Sequence, residues 1–438
     1  MLDDRRRRTL AWVVGLSTAA LIFDGYDLVV YGTVVPTLLA DSSQLGAVSP
    51  QQAGALGSYA LIGVMVGALC AGAIGDLIGR RKIILVNLAW FSIGMGLTAT
   101  AQSITTFGAF RFLTGIGVGA LVATVGALVA EFAEPHRRNR LNAVVYSGVP
   151  AGGVLAAVVA LLFADGDGWR LLFAFGALPL FVLLPLAVWK LPESPQWLAA
   201  RGHHSRAAEL AGRTGVTLSN ADTEGGRAGL AALARRPLAL PTALLGTMSF
   251  VGLLLTYGLN TWLPQIMRVN GFDKTYSLTF LLVLNLGAIV GGLIASYAAD
   301  RIGGAQRVIV TTFLLAAAML ALLTLQLPLA VLLMAVAIAG VGTIGTQVLI
   351  YGLVSGYYPT RARAAGVAWC AGFGRLGGIV GPVVGGLLIG AGLGGSLAFV
   401  IFAALAVFGA MVTAFVPRNR PSPTVSSDHE DERLATTM

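Results

Sequence analysis

Charge is scarce in this chain. Only 11 % of its 438 residues are charged, against about 25 % in an average soluble domain, while 56 % are hydrophobic and the mean hydropathy is +0.81. A water-soluble globular domain is excluded, and length-based domain counting does not apply. Cysteine is nearly absent: Cys70 and Cys370 stand far apart inside apolar runs, which leaves neither a disulfide framework nor a metal-ligand spacing. His203 and His204 fall in a polar stretch, where solvated side chains rather than metal ligands are expected. A signal peptide is missing too, because Met1–Arg8 is polar and the first apolar stretch is too long for an h-region and lacks a small-residue cleavage site. The first helix is therefore expected to stay in the product. A net charge of +9 would suit nucleic acid if the basic residues shared one face; they sit instead in short clusters between apolar runs, so no nucleic-acid partner is expected.

What the chain has in abundance is long apolar runs and 57 glycines. A bilayer-spanning helix needs about 20 mostly apolar residues, and small residues let such helices approach closely in lipid. The runs predict an all-α integral membrane protein with twelve spans, at about 11–39, 52–75, 83–101, 105–133, 140–164 and 170–191, then 242–268, 275–299, 308–326, 328–358, 365–389 and 396–416. This divides the chain into an N-terminal segment (1–10), a six-helix half (11–191), a polar central loop (192–241), a second six-helix half (242–416) and a tail (417–438) read as disordered. Of the 29 basic residues, only Arg170, Arg268 and Lys274 fall on the side opposite the termini, and Arg111 and Arg375 lie inside spans. The excess of positive charge makes the termini and the central loop cytoplasmic, in a multi-pass protein of the cell membrane.

The two halves repeat each other. Asp76-Leu-Ile-Gly79-Arg-Arg-Lys82 after span two returns as Asp300-Arg-Ile-Gly303 after span eight, and the same distance along the chain separates Pro135 from Pro359. Gly148-Val-Pro150-Ala-Gly152-Gly153 in span five has a counterpart in Gly381-Pro382-Val-Val-Gly385-Gly386 of span eleven. Two like-oriented halves around a midplane site are the architecture of a secondary transporter that exposes its site alternately to either side. The segment Gly75-Asp76-x-x-Gly79-Arg80-Arg81-Lys82, with Arg111-x-x-x-Gly115-x-Gly117-x-Gly119 in span four, resembles the signature motifs of the major facilitator superfamily, and the likeness covers residues 11 to 416. Pro192-Glu193-Ser194-Pro195-Gln196-Trp197-Leu198 resembles a motif of its sugar-porter-like branches. The second-half loop departs from the pattern at Gly304-Ala305-Gln306, where more basic residues are common.

Ionisable residues inside a span cost several kcal/mol and mark function by default. Asp24 and Asp27 in span one, Arg111 in span four and Arg375 in span eleven qualify, with Glu131 near the end of span four a weaker case. Asp24 and Asp27 are three residues apart and share a helix face; two buried carboxylates that close cannot both stay ionised cheaply. One of them pairing with Arg111 leaves the other as a group that loads and releases a proton. The run Asp24-Gly25-Tyr26-Asp27, together with Tyr358-Pro359-Thr360 and Gly374-Arg375-Leu-Gly, resembles the aromatic acid:proton symporter family. That resemblance implies uptake of benzoate- or hydroxybenzoate-type anions with protons, roles for both acids, and no cofactor beyond the coupling proton. A bound carboxylate wants a guanidinium fork, for which Arg375 and then Arg111 are the candidates. Ring walls and hydroxyl partners are expected from Tyr31, Tyr257, Asn260, Asn285, Gln347, Tyr351, Trp369 and Phe373. Trp369 and Arg375 stand about 240° apart on a 3.6-residue helix, so they share a face only if Gly372 and Gly374 distort it. Asp76, Gly79, Arg80, Arg81, Glu131, Arg138 and Asp300 are the expected gating residues, with Glu131 meeting Arg137 or Arg138 beside the Arg80–Lys82 loop. Other readings are a symporter of another organic acid or a sugar-like solute, and a drug/proton antiporter. An enzyme is not expected, since neither a nucleophile–base arrangement nor a sizeable extramembrane domain is visible; a monomer is.

Overall fold

The computed structural model describes residues 2–134, 137–163, 168–216, 233, 237–302 and 304–417. Among these residues every regular element is helical, as lipid requires of a chain whose backbone groups find no water. Twelve helical stretches are long and apolar enough to cross a membrane. Seven cross it as unbroken helices in the order α1 (Leu2–Ala40), α2 (Pro50–Ile78), α3 (Arg80–Ala99), α4 (Ile104–Phe132), then, after the central segment, α11 (Ala239–Val269), α12 (Lys274–Ile302) and α13 (Ala305–Leu322). Two more, α16 (Thr360–Gly390) and α17 (Ser396–Ala414), close the chain.

The other three spans are interrupted, each for a local reason. Span five is α5 (Arg138–Tyr146) followed by α6 (Gly148–Phe163), broken at Ser147 because Pro150 has no N–H to offer the Tyr146 carbonyl. Span six is α7 (Gly168–Phe175), a short 3₁₀ turn at Leu178–Leu180 carrying Pro179, and α8 (Leu183–Lys190). Span ten joins α14 (Leu329–Gly340) to α15 (Thr346–Tyr357) through a π-helical turn at Val341–Gly345, the kind of register fault that favours functional sites. Helix starts are capped where the chain turns: Ser49 and Gln52 form a capping box ahead of Pro50. Between α2 and α3 the single residue Gly79 turns the chain at φ +104, a conformation that needs glycine.

Against expectation, helix runs on at the start of the chain: α1 begins at Leu2, ahead of 11, because Arg5–Arg8 continue it beyond its apolar part. The central segment carries two short helices, α9 (Pro195–Ala200) and α10 (His204–Thr214). The expected tail, apart from Pro417, lies outside the described residues, as does Pro135.

Glycine sets how the spans pack. A Cβ added at Gly67 of α2 would fall on the Ile116 carbonyl of α4, and one at Gly119 of α4 on the Val64 carbonyl of α2. The glycine series of span four is thus a helix crossing, packed by close contact as lipid demands. Gly25 of α1 meets Val149 of α6 in the same way.

The first six and last six spans meet through three helix pairs. Gly32 of α1 lies against Asn260 of α11, Gly153 of α6 against the Asn285 side chain of α12, and Gly54 of α2 against Pro382 of α16. The Ser58 hydroxyl also donates to the Ile379 carbonyl at 2.6 Å. All these contacts lie at mid-span or towards the face away from the termini, so the halves are clasped at that face. The α2–α4 crossing generates a first prediction. Gly67→Val should prevent it, and fluorescence size-exclusion of the detergent extract should show no monodisperse protein; an unchanged peak would show that the crossing tolerates a side chain.

Candidate functional site

Of the four charges inside the spans, Asp24, Asp27 and Arg111 are buried and Arg375 is half-buried; two of them answer each other. Arg111 of α4 and Asp27 of α1, 1 % and 0 % exposed, form a salt bridge through Nη1 and Oδ1, and Arg111 Nη2 adds a 3.3 Å bond to the Asp27 carbonyl. Rings enclose the guanidinium, with Tyr31 and Phe173 at 5.7 and 5.6 Å. Tyr31 is fixed in turn, its hydroxyl donating to the Ala53 carbonyl at 2.6 Å, and on the same helix the Tyr26 hydroxyl donates at 2.7 Å to the carbonyl of Leu172, the neighbour of Phe173. Arg111 and Tyr31, both expected as possible substrate contacts, are therefore committed to the interior of the first half.

Asp24 is the acid left over. It is 1 % exposed, and its Oδ1 has no hydrogen-bond partner. From the other half, Arg375 of α16 is within electrostatic reach of it, of Tyr146 at the end of α5 and of Tyr257 in α11. Tyr351 of α15 acts on both tyrosines. These five side chains come from five helices and both halves, one acid and one cation among them. Arg375 makes no salt bridge among the described residues. The arrangement offers a guanidinium, the phenols of Tyr257 and Tyr351 and an acid without a hydrogen-bonded base, while the Tyr146 hydroxyl donates to the Val122 carbonyl at 3.2 Å.

The other expected contacts divide. Asn285 donates to the Asn260 side chain at 3.0 Å, and both amides sit where the halves touch. Gln347 of α15 reaches Ser249 of α11, which lies against Gly374, the neighbour of Arg375. Trp369 and Phe373 stack with centroids 5.3 Å apart, Phe373 lies 5.8 Å from Phe250, and the Trp369 indole donates to the Thr242 carbonyl at 3.0 Å. That pair packs on α11, and because α16 runs undistorted through Gly372 and Gly374, Trp369 and Arg375 do not share a face.

The loop after α2 forms a separate centre. Arg80 pairs with Glu131 of α4 at 3.6 Å, and Ser194 hydrogen-bonds Glu131. Glu193 accepts the Arg81 backbone N–H at 3.0 Å, placing a carboxylate at the start of α3 as its dipole favours, and a Cβ at Gly79 would collide with the same carboxylate. The expected pairing of Glu131 with Arg137 is replaced: Arg137 pairs with Glu134 at 3.5 Å, as does Arg6 at 3.4 Å. Asp300 is exposed. The side chains of Asp76 and Arg138 lie outside those described.

The family model of the Major Facilitator Superfamily matches residues 17–368 and 286–437. The chain belongs to this superfamily. As a major facilitator protein it is 34 % identical over 409 residues to the gentisate transporter of Corynebacterium glutamicum, covering 93 % of this chain and 87 % of that one. With the benzoate transport protein of Acinetobacter baylyi it shares 32 % over 436 residues, 96 % and 92 % of the two chains. The xylose transporter XylE of E. coli, in an inward-open conformation, has the same fold: TM-score 0.76 at 18 % identity, over 97 % of this chain and 99 % of XylE. Its family and these relatives are transporters, not enzymes, and the chain is a multi-pass membrane protein.

Sequence reading of this transporter passed over Tyr146, Ser249, Glu193 and Ser194. Tyr146 had a signal, since it stands just before the Gly148–Pro150 motif that breaks span five. Glu193 and Ser194 were noticed only as part of a motif, with no partner assigned. A second prediction follows from the Asp27–Arg111 pair. Arg111→Leu strands a buried carboxylate and should cost about 3–5 kcal/mol, seen as a lower thermal midpoint in detergent. Adding Asp27→Leu should restore most of it; a wild-type midpoint for the single variant would show that the pair does not hold α1 to α4.

Proposed function

We propose that the chain imports aromatic carboxylates of the benzoate or hydroxybenzoate type by proton symport, with Asp24 carrying the proton and Arg375 the carboxylate. The observation that carries this reading is a buried acid whose Oδ1 has no hydrogen-bond partner, within electrostatic reach of an arginine of the opposite half that makes no salt bridge among the described residues. The names of the gentisate and benzoate relatives support the substrate class. Energetics supports the coupling: an anion entering a cell with a negative interior meets about 2.3 kcal/mol per 100 mV, which one co-transported proton cancels.

The residues then divide the work. With Asp24 ionised, Arg375 has its counter-charge. A proton on Asp24 removes that charge and leaves the guanidinium to take a substrate carboxylate through its bidentate fork. Loss of the anion returns Arg375 to Asp24 and expels the proton. Tyr146, Tyr257 and Tyr351 border the ring, Asn260 and Asn285 mark where the halves close over it, and Trp369 with Phe373 supports α16 against α11. Asp27 and Arg111 hold the first half together while Asp24 titrates. The termini lie in the cytoplasm, so the clasped face is the outer one and a crevice between the halves opens inward. Arg80, Arg81, Glu131 and Gly79 brace the inner end of the first half, with Asp300 exposed in the second-half repeat of that loop. The path runs between the halves of one chain, so a monomer suffices.

A lipophilic cation fits this site poorly because Arg375 repels it. The motif at Pro192–Leu198 does not argue for a sugar, since Glu193 and Ser194 touch the loop after α2 and not the crevice.

The deciding measurement is uptake of labelled benzoate and 4-hydroxybenzoate into proteoliposomes under an inward proton gradient. Accumulation should occur and collapse with a protonophore; tight vesicles that accumulate neither would end the aromatic-acid reading. Asp24→Asn should lose gradient-driven accumulation yet keep substrate exchange, and if it still concentrates substrate, the proton travels elsewhere. Arg375→Ala should weaken carboxylate binding by about ten- to a hundredfold, the worth of one charged hydrogen-bonded contact, and leave matching amides unaffected. Equal losses for acids and amides would remove Arg375 from the site.

A further inference from the structure

One side chain away from Gly374, the neighbour of Arg375, stands a polar group that anchoring a carboxylate does not use. Gln347 is 7 % exposed; its Nε2 donates to the Ser249 hydroxyl at 3.2 Å, while its Oε1 has no hydrogen-bond partner. Turning the amide over does not change the count, because Oε1 would then accept from Ser249 and Nε2 would be the atom without a partner. A buried side-chain polar atom left unpaired calls for an explanation in a folded protein.

Its surroundings point to a ligand. Ser249 lies against the bare Cα of Gly374, so Gln347 is one side chain removed from the Arg375 backbone. The amide rests on Gly252 of α11, where a Cβ would collide with it, so the glycine leaves it room. Gln347 also follows directly on the π-helical turn Val341–Gly345, where the tenth span departs from α-helical register.

We propose that Gln347 reads a hydroxyl on the substrate ring, so that hydroxylated aromatic acids are preferred to the bare ring. This rests on the aromatic-acid reading above. A phenol hydroxyl both donates and accepts, and therefore satisfies whichever amide atom is unpaired. The carboxylate lies on Arg375 while the hydroxyl meets the amide as the tenth span closes over the ring. A ring without a hydroxyl leaves the amide atom unpaired, and a site built to hydrogen-bond its substrate discriminates most strongly against the analogue that lacks the group.

The test is kcat/KM for benzoate and for 2-, 3- and 4-hydroxybenzoate in proteoliposomes of the full chain. The wild type should favour at least one hydroxybenzoate over benzoate by about tenfold, the worth of one buried hydrogen bond. In Gln347→Leu, which fills the same volume without polar atoms, that ratio should fall to near one. Gly252→Ala, which displaces the amide without altering it, should lower the ratio in the same direction and guards against a folding defect in the first variant. A wild type that prefers benzoate to every hydroxybenzoate overturns the assignment, and so does an unchanged ratio in both variants. A wild type that moves none of the four acids overturns the aromatic-acid reading itself, a result distinct from either.

Discussion

Lipid supplies no counter-ion, and the two buried acids of α1 answer that constraint in different ways. Asp27 is neutralised inside its own half by Arg111, behind the Tyr31 ring, whose hydroxyl is already bonded to backbone. Asp24 is three residues away and takes its electrostatic partner, Arg375, from the other half. Removing one member of a buried pair leaves a stranded charge, so the first arrangement makes a static brace. The second ties a charge balance to the separation of the halves, and in the proposed cycle a proton or a substrate anion can restore that balance.

The glycines follow from the same constraint. Close charge pairs between helices need close helices, and at Gly25 α1 meets the Val149 backbone of α6 without an intervening side chain. Gly25 lies between Asp24 and Asp27, so one residue sets both how near the sixth helix comes and where the two acids point. The Gly152 contact on Ile22 and Tyr26 completes the crossing from the other side.

Spans, repeat and the four charges inside spans were legible because each leaves a mark along the chain: apolar length, a recurring Asp-x-x-Gly, an ionisable residue where lipid forbids one. Partners were not. Spacing shows that Asp24 and Asp27 share a face, but the crossing of α1 and α4 decides that Arg111 takes Asp27. Glu131 had basic residues nearby in sequence at 137 and 138, yet Arg80 comes to it from another helix. Tyr146 was overlooked because its place within reach of Arg375 depends on the break at Ser147, and a single proline does not tell which way the chain turns. The unpaired amide of Gln347 is invisible in sequence altogether, since it is defined by what surrounds it.

Where the strong interactions sit bears on how such a molecule can move. The ion pairs of Asp27, Glu131 and Glu134 all join residues of the first half or the segments flanking it. Among the described residues the close contacts between the halves are glycines on backbone or side chains and the hydroxyl bond of Ser58. Van der Waals contacts are individually weak, and a neutral hydrogen bond is worth about 0.5–1.5 kcal/mol net. Among the described residues the clasp therefore holds no ion pair, and separating it leaves the pairs of Asp27, Glu131 and Glu134 intact. A buried ion pair in that clasp would hold the transporter shut; with Asp24 and Arg375 at the boundary instead, the charge that must change partners during the proposed cycle lies where proton and substrate can reach it.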